Sequence, residues 1–290
     1  MSTLNILESH TAKVLLKPVR LQEYGVGIFN TISTKSALKK SLKKGLILVN
    51  GNVASTANFI CGREVIVLLE DKKTTPHKKI TLSLEVIYED AYFAIINKPA
   101  GILVSGNSFK TITNALEQNI SPSTLPDAVN PKPAHRLDYP TTGLLVVGKT
   151  SSSIIALNKL FENKQINKTY IAITIGTMKP FGTISTPIDG KIATSKYKVI
   201  KTTPSKRFAF LNWVQLSPAT GRKHQLRKHL YGIGNPILGD PTYALKDLEL
   251  KGKGLYLHAY SLEFTHPFTK EKVLLVKDPP NKFNRIFEKK

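Results

Sequence analysis

The chain has 290 residues, of which 41% are hydrophobic, an ordinary share for a globular protein. No apolar run approaches the roughly eighteen residues that cross a bilayer, and an anionic membrane surface is disfavoured as a partner because no long lysine-rich helix carries bulky apolar anchors. The N-terminus lacks the basic start and apolar core of a secretory signal, and a single cysteine, Cys61, excludes an internal disulfide. We therefore predict a cytoplasmic protein with one large domain or two smaller ones.

Positive charge is the most informative bulk property of the chain. Lysines and arginines number 42 against 20 aspartates and glutamates, a net charge of +22 at pH 7. The excess is spread along the chain, because residues 1–82 carry 13 basic and 5 acidic side chains and the remainder carries 29 and 15. A field of this sign favours nucleic acid as the partner, although a generally lysine-rich proteome produces the same bias.

A short amphipathic helix is predicted at residues 33–45, with Ser33 or Thr34 as its N-cap and Gly45 just past its end. One half of its circumference is suited to packing and carries Ala37, Leu38, Ser41 and Leu42. The other half carries five lysines, namely Lys35, Lys39, Lys40, Lys43 and Lys44. One face of the helix is thus expected to pack while the other presents ammonium groups.

A β-hairpin is predicted after this helix. Apolar segments at 47–49 and 64–69 are strand-like, and Asn50 and Gly51 form a turn between strands because both tolerate positive φ. The polar stretch DKKTTPHKK at 71–79 is broken by a proline and predicts a linker. The first part of the chain is therefore expected to be a compact α+β module.

The segments KSALKKSLKKGLILVNGNVA (35–54) and GREVIVLL (62–69) resemble an S4 domain, a small RNA-binding unit. The resemblance implies a domain at residues 12–72 whose helix and hairpin face RNA. The side chains that it assigns to RNA contact are Lys39, Lys40, Lys43 and Lys44.

After the linker, short apolar runs are typical of strands. They lie at 84–88, 92–96, 144–147, 170–175, 208–216 and 273–276. A second helix is predicted at 151–162, where serines can cap the N-terminus and an apolar stripe packs on the core.

Several common kinds of site are missing from the sequence. His224 and His229 lie five residues apart, which is not the spacing of a zinc-binding helix, and no cysteine cluster exists. No phosphate-binding P-loop and no GxSxG nucleophile elbow occurs. Cys61 follows an apolar pair and is interpreted as a small buried filler. The pattern predicts binding or chemistry that uses no metal and no cofactor.

A lone carboxylate, Asp138, stands out in the segment HRLDYPTTGL (135–144) just before a turn and an apolar strand. It either pins the turn through an ion pair or acts as an acidic catalyst at the edge of a sheet. Arg136, two residues away, can point to the same side of an extended segment. The basic segment 219–240 supplies a second candidate partner, Arg227, which can pair with Asp138 or bind a phosphate.

The segment HRLDYPTTGL resembles the HRLDxxTSGL motif of the RluA-type pseudouridine synthases, with Thr142 where serine is commoner. Five further segments resemble the blocks of that family in the same order. They are NKPAGILV (97–104), NKTY (167–170), TGRKHQLRKH (220–229), PILGDPTY (236–243) and LHAYSLEFTHP (257–267). The resemblance implies an α+β catalytic domain at 83–290, with a large mixed, mainly antiparallel sheet.

The resemblance also implies an activity, the isomerisation of uridine to pseudouridine in structured RNA without a metal or cofactor. Asp138 would be the essential carboxylate, acting either on C1′ or on the 2′ proton of a flipped-out uridine. Tyr170 would stack on the uracil and assist proton removal from C5. Without the motif, the apolar segment that follows it would predict a tyrosine packed in the core. Arg227 would pair with Asp138, and Leu226 would help to wall the base pocket.

Other residues have less specific roles in this interpretation. The resemblance implies that Arg136 holds the RNA distorted, whereas Arg222 is either a phosphate contact or a structural pair. His135 is expected to orient the loop, and Asp240 to stabilise a turn.

Two alternatives remain open at this point. A non-catalytic RNA-binding factor for ribosome assembly could keep the same fold, although the presence of Asp138, Tyr170 and Arg227 disfavours it. A hydrolase of another polyanion is disfavoured because glycosidases ordinarily need two carboxylates and this segment offers one. The predicted partner is ribosomal or transfer RNA, and the predicted state is a monomer.

Overall fold

The computed structural model describes residues 5–32, 34–71, 80–250 and 252–288. In chain order its strands are β1 Ile6–Thr11, β2 Val19–Arg20, β3 Ile47–Val49, β4 Asn52–Val53, β5 Phe59–Ile60, β6 Val65–Leu69, β7 Glu85–Glu89, β8 Phe93–Lys98, β9 Ala128–Pro133, β10 Thr142–Thr150, β11 Asn167–Ile175, β12 Phe181–Ile184, β13 Ser195–Ser205, β14 Ala209–Pro218, β15 Leu257–Thr265 and β16 Lys272–Val276. The helices are α1 Leu21–Tyr24, α2 Lys35–Lys43, α3 Ile112–Ala115, α4 Ser151–Glu162 and α5 Gln225–Gly232, with 3-10 turns at Leu116–Gln118 and Asn284–Ile286.

The N-terminal part is built on a four-stranded antiparallel sheet in the order β1-β6-β3-β4. The turn between β3 and β4 has positive φ at Asn50 (47°) and Gly51 (80°), as the Asn-Gly pair predicts. Strand β1 pairs with β6 although it lies outside the predicted domain 12–72. Its short segment of mixed residues gave no strand signal, and pairing with the buried β6 decides its conformation.

Helix α2 packs one face on this sheet, as the helical spacing predicts. Leu38 and Leu42 are buried in one cluster with Leu21, Ile47 and Ile66. The N-cap is Thr34, whose side chain accepts a hydrogen bond from the Ala37 amide, while Ser33 lies outside the described residues. All five lysines of the opposite face are exposed. Two of them form ion pairs, Lys35 with Glu23 and Lys44 with Asp71.

Most of the predicted linker, residues 72–79, lies outside the described part of the chain. After it comes a ten-stranded sheet in the order β12-β13-β14-β11-β15-β10-β8-β7, with β16 paired to β15 and β9 to β10. Its pairs are antiparallel except β10 with β15, which run parallel over two residues. The predicted α+β class with a large, mainly antiparallel sheet is therefore confirmed, and each predicted apolar run overlaps a strand.

Strand β10 is buried on both of its faces. Leu144 and Val146 pack in a cluster with Leu157 of α4, whereas Leu145 and Val147 pack on the other side in a cluster with Ile112. This alternation follows from the two-residue period of a strand. Because both faces are covered, the loop that enters β10 is anchored to the middle of the sheet.

Two smaller expectations were wrong. Cys61 is exposed, because it lies in a turn just after β5, whereas Ile60 before it is buried. The N-cap of α4 is Thr150, which precedes the predicted serines and forms a reciprocal capping box with Ser153. No helix among the described residues is long and apolar enough to cross a membrane.

Gly143 fixes how β10 meets β15. Its φ is +110°, and a Cβ at this position would lie within 3.0 Å of the backbone of Ala259 on the neighbouring strand. Backbone cannot move aside as a flexible side chain can, so only glycine permits this parallel pairing. The conformation matters for the site because Asp138 is only five residues upstream.

We expect Gly143→Ala to lower the free energy of unfolding by at least about 3 kcal/mol, since it adds a backbone clash to a strained φ. The control is Gly190→Ala, which also has a positive φ (+71°) but nothing within 4 Å of the added carbon. It should cost about 1 kcal/mol. Urea titration of both variants measures the difference, and equal losses would contradict the role of the close approach.

Candidate active site

A buried lysine in the protein interior anchors the loop between β9 and β10. Lys98, at the end of β8, is fully buried, and its ammonium donates to the carbonyl oxygens of Pro99 (3.0 Å), Tyr139 (3.2 Å) and Thr141 (2.9 Å). Burial lowers the pKa of Lys98 to about 8, and the nearby charge of Asp138 opposes this shift. The lysine thereby fixes the backbone on both sides of Pro140.

His135 anchors the start of the same loop. Its Nε2 accepts a hydrogen bond from the Val146 amide (3.1 Å), and its ring packs on Phe161 at 4.5 Å between centroids. Burial lowers the pKa of His135 to about 3, so the ring is neutral at physiological pH. Its contacts are those of a residue that orients the loop.

Asp138 and Arg227 come together from positions 89 residues apart, as the sequence predicts. Arg227 Nη1 lies 3.5 Å from Asp138 Oδ2, a long contact, and the Asp138 side chain is 25% exposed. Arg136, the other candidate partner, is exposed. The distance to Arg227 leaves the Asp138 carboxylate accessible from the cleft.

The closest partner of Arg227 is Asp240. Nε and Nη2 of the guanidinium bind the two Asp240 oxygens at 2.7 and 2.8 Å, and the two side chains are 3% and 0% exposed. Burial alone would lower the pKa of Arg227, but hydrogen bonds and charge from Asp240 outweigh it and raise that pKa. The pKa of Asp240 is lowered, because hydrogen bonds from Arg227, Thr242 and Tyr243 outweigh burial.

The sequence predicts a turn-stabilising role for Asp240, and the structure shows this role together with a second one, the binding of Arg227. Its Oδ1 accepts from the amides of Thr242 (2.9 Å) and Tyr243 (3.0 Å), which holds the turn. The same carboxylate also fixes Arg227, which the spacing of the two segments gave no means to predict.

Tyr170 lies on β11, between two hydrophobic clusters of the large domain. Burial raises the pKa of its phenol, and the charge of Asp138 raises it further, so the hydroxyl is protonated at neutral pH. Within the described part of the chain no hydrogen bond engages this hydroxyl. Tyr170 therefore presents an aromatic ring and a free O–H group beside Asp138.

His224 and Tyr243 complete the surroundings of Asp138. His224 Nε2 lies 3.9 Å from Asp138 Oδ1, and its Nδ1 lies 3.1 Å from the Tyr243 hydroxyl. The Tyr243 ring also faces the Arg227 guanidinium, 5.0 Å from its centroid. The sequence spacing excluded His224 as a zinc ligand but did not predict its position beside Asp138.

A cleft of about 1210 Å³ is lined by His135, Asp138, Tyr170, His224 and Arg227. Its lining includes every residue that the sequence assigned to catalysis or to substrate in the large domain, namely Arg136, Asp138, Tyr170, Arg222, Leu226 and Arg227. Arg222 donates through Nε to the Ile192 carbonyl (3.0 Å), so it has a structural contact as well as a place on the cleft wall. Lys39, Lys40, Lys43 and Lys44 lie on α2 instead.

Comparisons with known proteins place the chain in a family. A family model described as RNA pseudouridylate synthase matches residues 92–231. The ribosomal large subunit pseudouridine synthase D of Buchnera aphidicola is 32% identical, and the alignment covers 82% of this chain and 84% of that protein. The chain belongs to the RluA-type pseudouridine synthase family.

Two further similarities support membership. An uncharacterized RNA pseudouridine synthase of Aquifex aeolicus is 30% identical over 88% of both chains. The solved structure of human RNA pseudouridylate synthase domain containing 4 has a TM-score of 0.56 and 26% identity, and covers 69% of this chain and 90% of that one. The protein is accordingly an RNA pseudouridine synthase, an enzyme that isomerises uridine in RNA.

We expect Asp240→Asn to lower the free energy of unfolding by about 3–5 kcal/mol at pH 7, because it leaves Arg227 buried without its close partner. Asp240 has a lowered pKa when folded, so its contribution is complete above its ordinary pKa of 3.8 and is lost as the pH falls through the lowered value. Urea titrations at pH 7 and near pH 3 should therefore show a smaller difference between wild type and variant in acid.

Asp189→Asn is the matched control. Asp189 pairs with Lys228, which lies on α5 like Arg227. The Asp189 side chain is 68% exposed, so solvent screens the interaction. This variant should be as stable as the wild type at both pH values. A small loss for Asp240→Asn, similar to the control, would contradict the importance of the buried pair.

Proposed function

We propose that the protein isomerises specific uridines in ribosomal RNA of the large subunit, with Asp138 as its catalytic carboxylate. The curated relatives include proteins titled ribosomal large subunit pseudouridine synthase C and D. The observation that carries the assignment of the residue is the position of Asp138, a partly exposed carboxylate in a large cleft with a buried guanidinium 3.5 Å away.

The neighbours of Asp138 suit a flipped-out uridine. Tyr170 offers an aromatic face for stacking, and stacking on aromatic side chains is a general mode of base recognition. Its protonated hydroxyl can donate a hydrogen bond, so we assign it an assisting part in removal of the C5 proton, which a separate acceptor must take up. Leu226, only 7% exposed, walls the base pocket.

Charge at the cleft suits the phosphate backbone. Arg136 is exposed beside Asp138, and we assign it to holding the RNA in a distorted conformation. Arg222 lies on the cleft wall, where a phosphate contact adds to its bond with Ile192. Extruding a base from its stack requires such contacts, because the protein must offset the lost stacking.

The N-terminal module is proposed to be an S4-like RNA-binding domain at about residues 12–72, extended by β1, joined to a catalytic domain at 83–290. The support is the lysine face of α2, where Lys39, Lys40 and Lys43 have no ionic partner among the described residues. Lys44 is paired with Asp71 and contributes less free charge. We further propose that the enzyme acts as a cytoplasmic monomer.

Asp138→Asn tests the catalytic assignment. We expect a loss of roughly 10⁴-fold or more in tritium release from RNA labelled at uridine C5, because asparagine keeps the shape but not the charge or basicity of the carboxylate. RNA affinity should be largely retained, since the other contacts remain. Turnover near the wild-type rate would contradict the role of Asp138.

The substrate is tested by mapping pseudouridine in total RNA from cells that lack the protein. Sites in large-subunit ribosomal RNA should disappear, return with the wild-type gene, and stay absent with Asp138→Asn. Loss confined to transfer RNA would contradict the proposed substrate. A ribosome assembly defect rescued by the inactive variant would point to an additional non-catalytic role.

The lysine face is tested by replacing Lys39, Lys40 and Lys43 together by alanine. We expect weaker RNA binding and a salt dependence whose slope falls by about 2–3, roughly one for each lost phosphate contact. The same three positions changed to arginine form the control, because they keep the charge. An unchanged slope would exclude α2 from the RNA interface.

A further inference from the structure

His224 has a strained backbone at the mouth of the cleft. Its φ and ψ are 55° and 27°, in the left-handed region, immediately before the first residue of α5. A side chain with a Cβ adopts this conformation at a cost in free energy, and such strain concentrates at functional sites. Histidine tolerates this region better than most residues, so the case for a functional role rests on its side-chain contacts.

Contacts on both sides hold the imidazole in one orientation. The Lys228 amide donates to the His224 carbonyl (2.9 Å), which ties its backbone to α5. The Tyr243 ring meets the imidazole edge-on at 5.8 Å, and its hydroxyl lies 3.1 Å from Nδ1. We assign the Tyr243 O–H as the donor to Nδ1, which places the proton of the neutral ring on Nε2, the nitrogen that faces Asp138.

The two oxygens of Asp138 consequently face different nitrogens. Oδ2 lies 3.5 Å from Arg227 Nη1, and Oδ1 lies 3.9 Å from His224 Nε2. Both distances exceed those of ordinary hydrogen bonds, so the carboxylate is bracketed but not yet engaged. Contacts of this kind often shorten only when substrate closes the site.

We infer that His224 is a positioning residue, which directs Oδ1 of Asp138 toward the flipped-out uridine through its neutral Nε2–H group. The inference rests on the proposed role of Asp138 and adds to it. Arg227 holds one oxygen of the carboxylate, and His224 determines the direction of the other. Tyr243 acts one step further out, by fixing the tautomer of His224.

Burial favours the neutral form of this imidazole. Burial lowers the pKa of His224, the charge of Asp138 opposes the shift, and the charges of Arg227 and Lys223 add to it. The titratable and charged groups that face the ring are Asp138 from the β9–β10 loop, Lys223 and Arg227 at α5, and Asp240 and Tyr243 from the loop that follows. Protonation in acid would pair the imidazolium with Asp138 and withdraw the carboxylate from substrate.

His224→Asn and His224→Gln separate this role from a purely structural one. Asparagine accepts the left-handed backbone but is too short to place a donor at Nε2, whereas glutamine places its amide nitrogen near that position. We expect wild-type thermal stability for the asparagine variant, a kcat lower by roughly tenfold or more, and little change in KM for RNA. Glutamine should recover part of the kcat, and its rate should fall less steeply than the wild type between pH 7 and pH 5.

His10→Asn is the matched control. His10 Nε2 also lies 3.1 Å from a tyrosine hydroxyl, that of Tyr24, but in the N-terminal module. This substitution should leave kcat unchanged. Wild-type kcat in His224→Asn, or equal kcat loss in the asparagine and glutamine variants with lowered thermal stability, would overturn the inference. An active Asp138→Asn enzyme would instead contradict the proposed function itself.

Tyr243→Phe tests the outer step, because phenylalanine keeps the ring beside Arg227 and removes only the hydroxyl. We expect it to lower kcat in the wild type and to have no further effect in the His224→Asn background, since the two residues act through one path. Independent, additive losses would contradict the link through His224.

Discussion

The buried pair of Arg227 and Asp240 is the interaction on which the site depends. A guanidinium that is 3% exposed must find a bidentate partner, and Asp240 supplies it at 2.7 and 2.8 Å. This leaves one nitrogen, Nη1, for Asp138. If Asp138 itself were the close partner, its oxygens would be occupied by the guanidinium. Because Asp240 neutralises the guanidinium, Asp138 stays accessible from the cleft.

The position of Asp138 is determined by backbone constraints as much as by charge. Lys98 binds two carbonyl oxygens of the loop, those of Tyr139 and Thr141, from within the core, and Gly143 permits the close parallel pairing that follows the loop. Both features cost free energy of folding, because the Lys98 ammonium is desolvated and the Gly143 backbone conformation is one that only glycine adopts readily. They persist because the strands on either side are buried on both faces and resist adjustment.

Much of this arrangement could be predicted from the sequence, because hydrophobic periodicity and the Asn50-Gly51 turn are local signals. The segment 135–144 likewise predicts a carboxylate, Asp138, just before a strand of the sheet. What could not be predicted depends on tertiary contact: β1 is a strand only because β6 is there to pair with it. For the same reason the closest partner of Arg227 was missed, since spacing along the chain does not show which of two aspartates a buried guanidinium meets.

Three groups around Asp138 have pKa values displaced toward the neutral form: those of Lys98, Tyr170 and His224. In each case burial is the largest cause, so the same low-polarity surroundings that exclude water also disfavour competing charge. Arg227 is the exception, because Asp240 holds its charge in place. At neutral pH the carboxylate therefore has two cations nearby, Arg227 directed at Oδ2 and Lys98 bound to backbone carbonyl oxygens, whereas Oδ1 faces the neutral imidazole of His224.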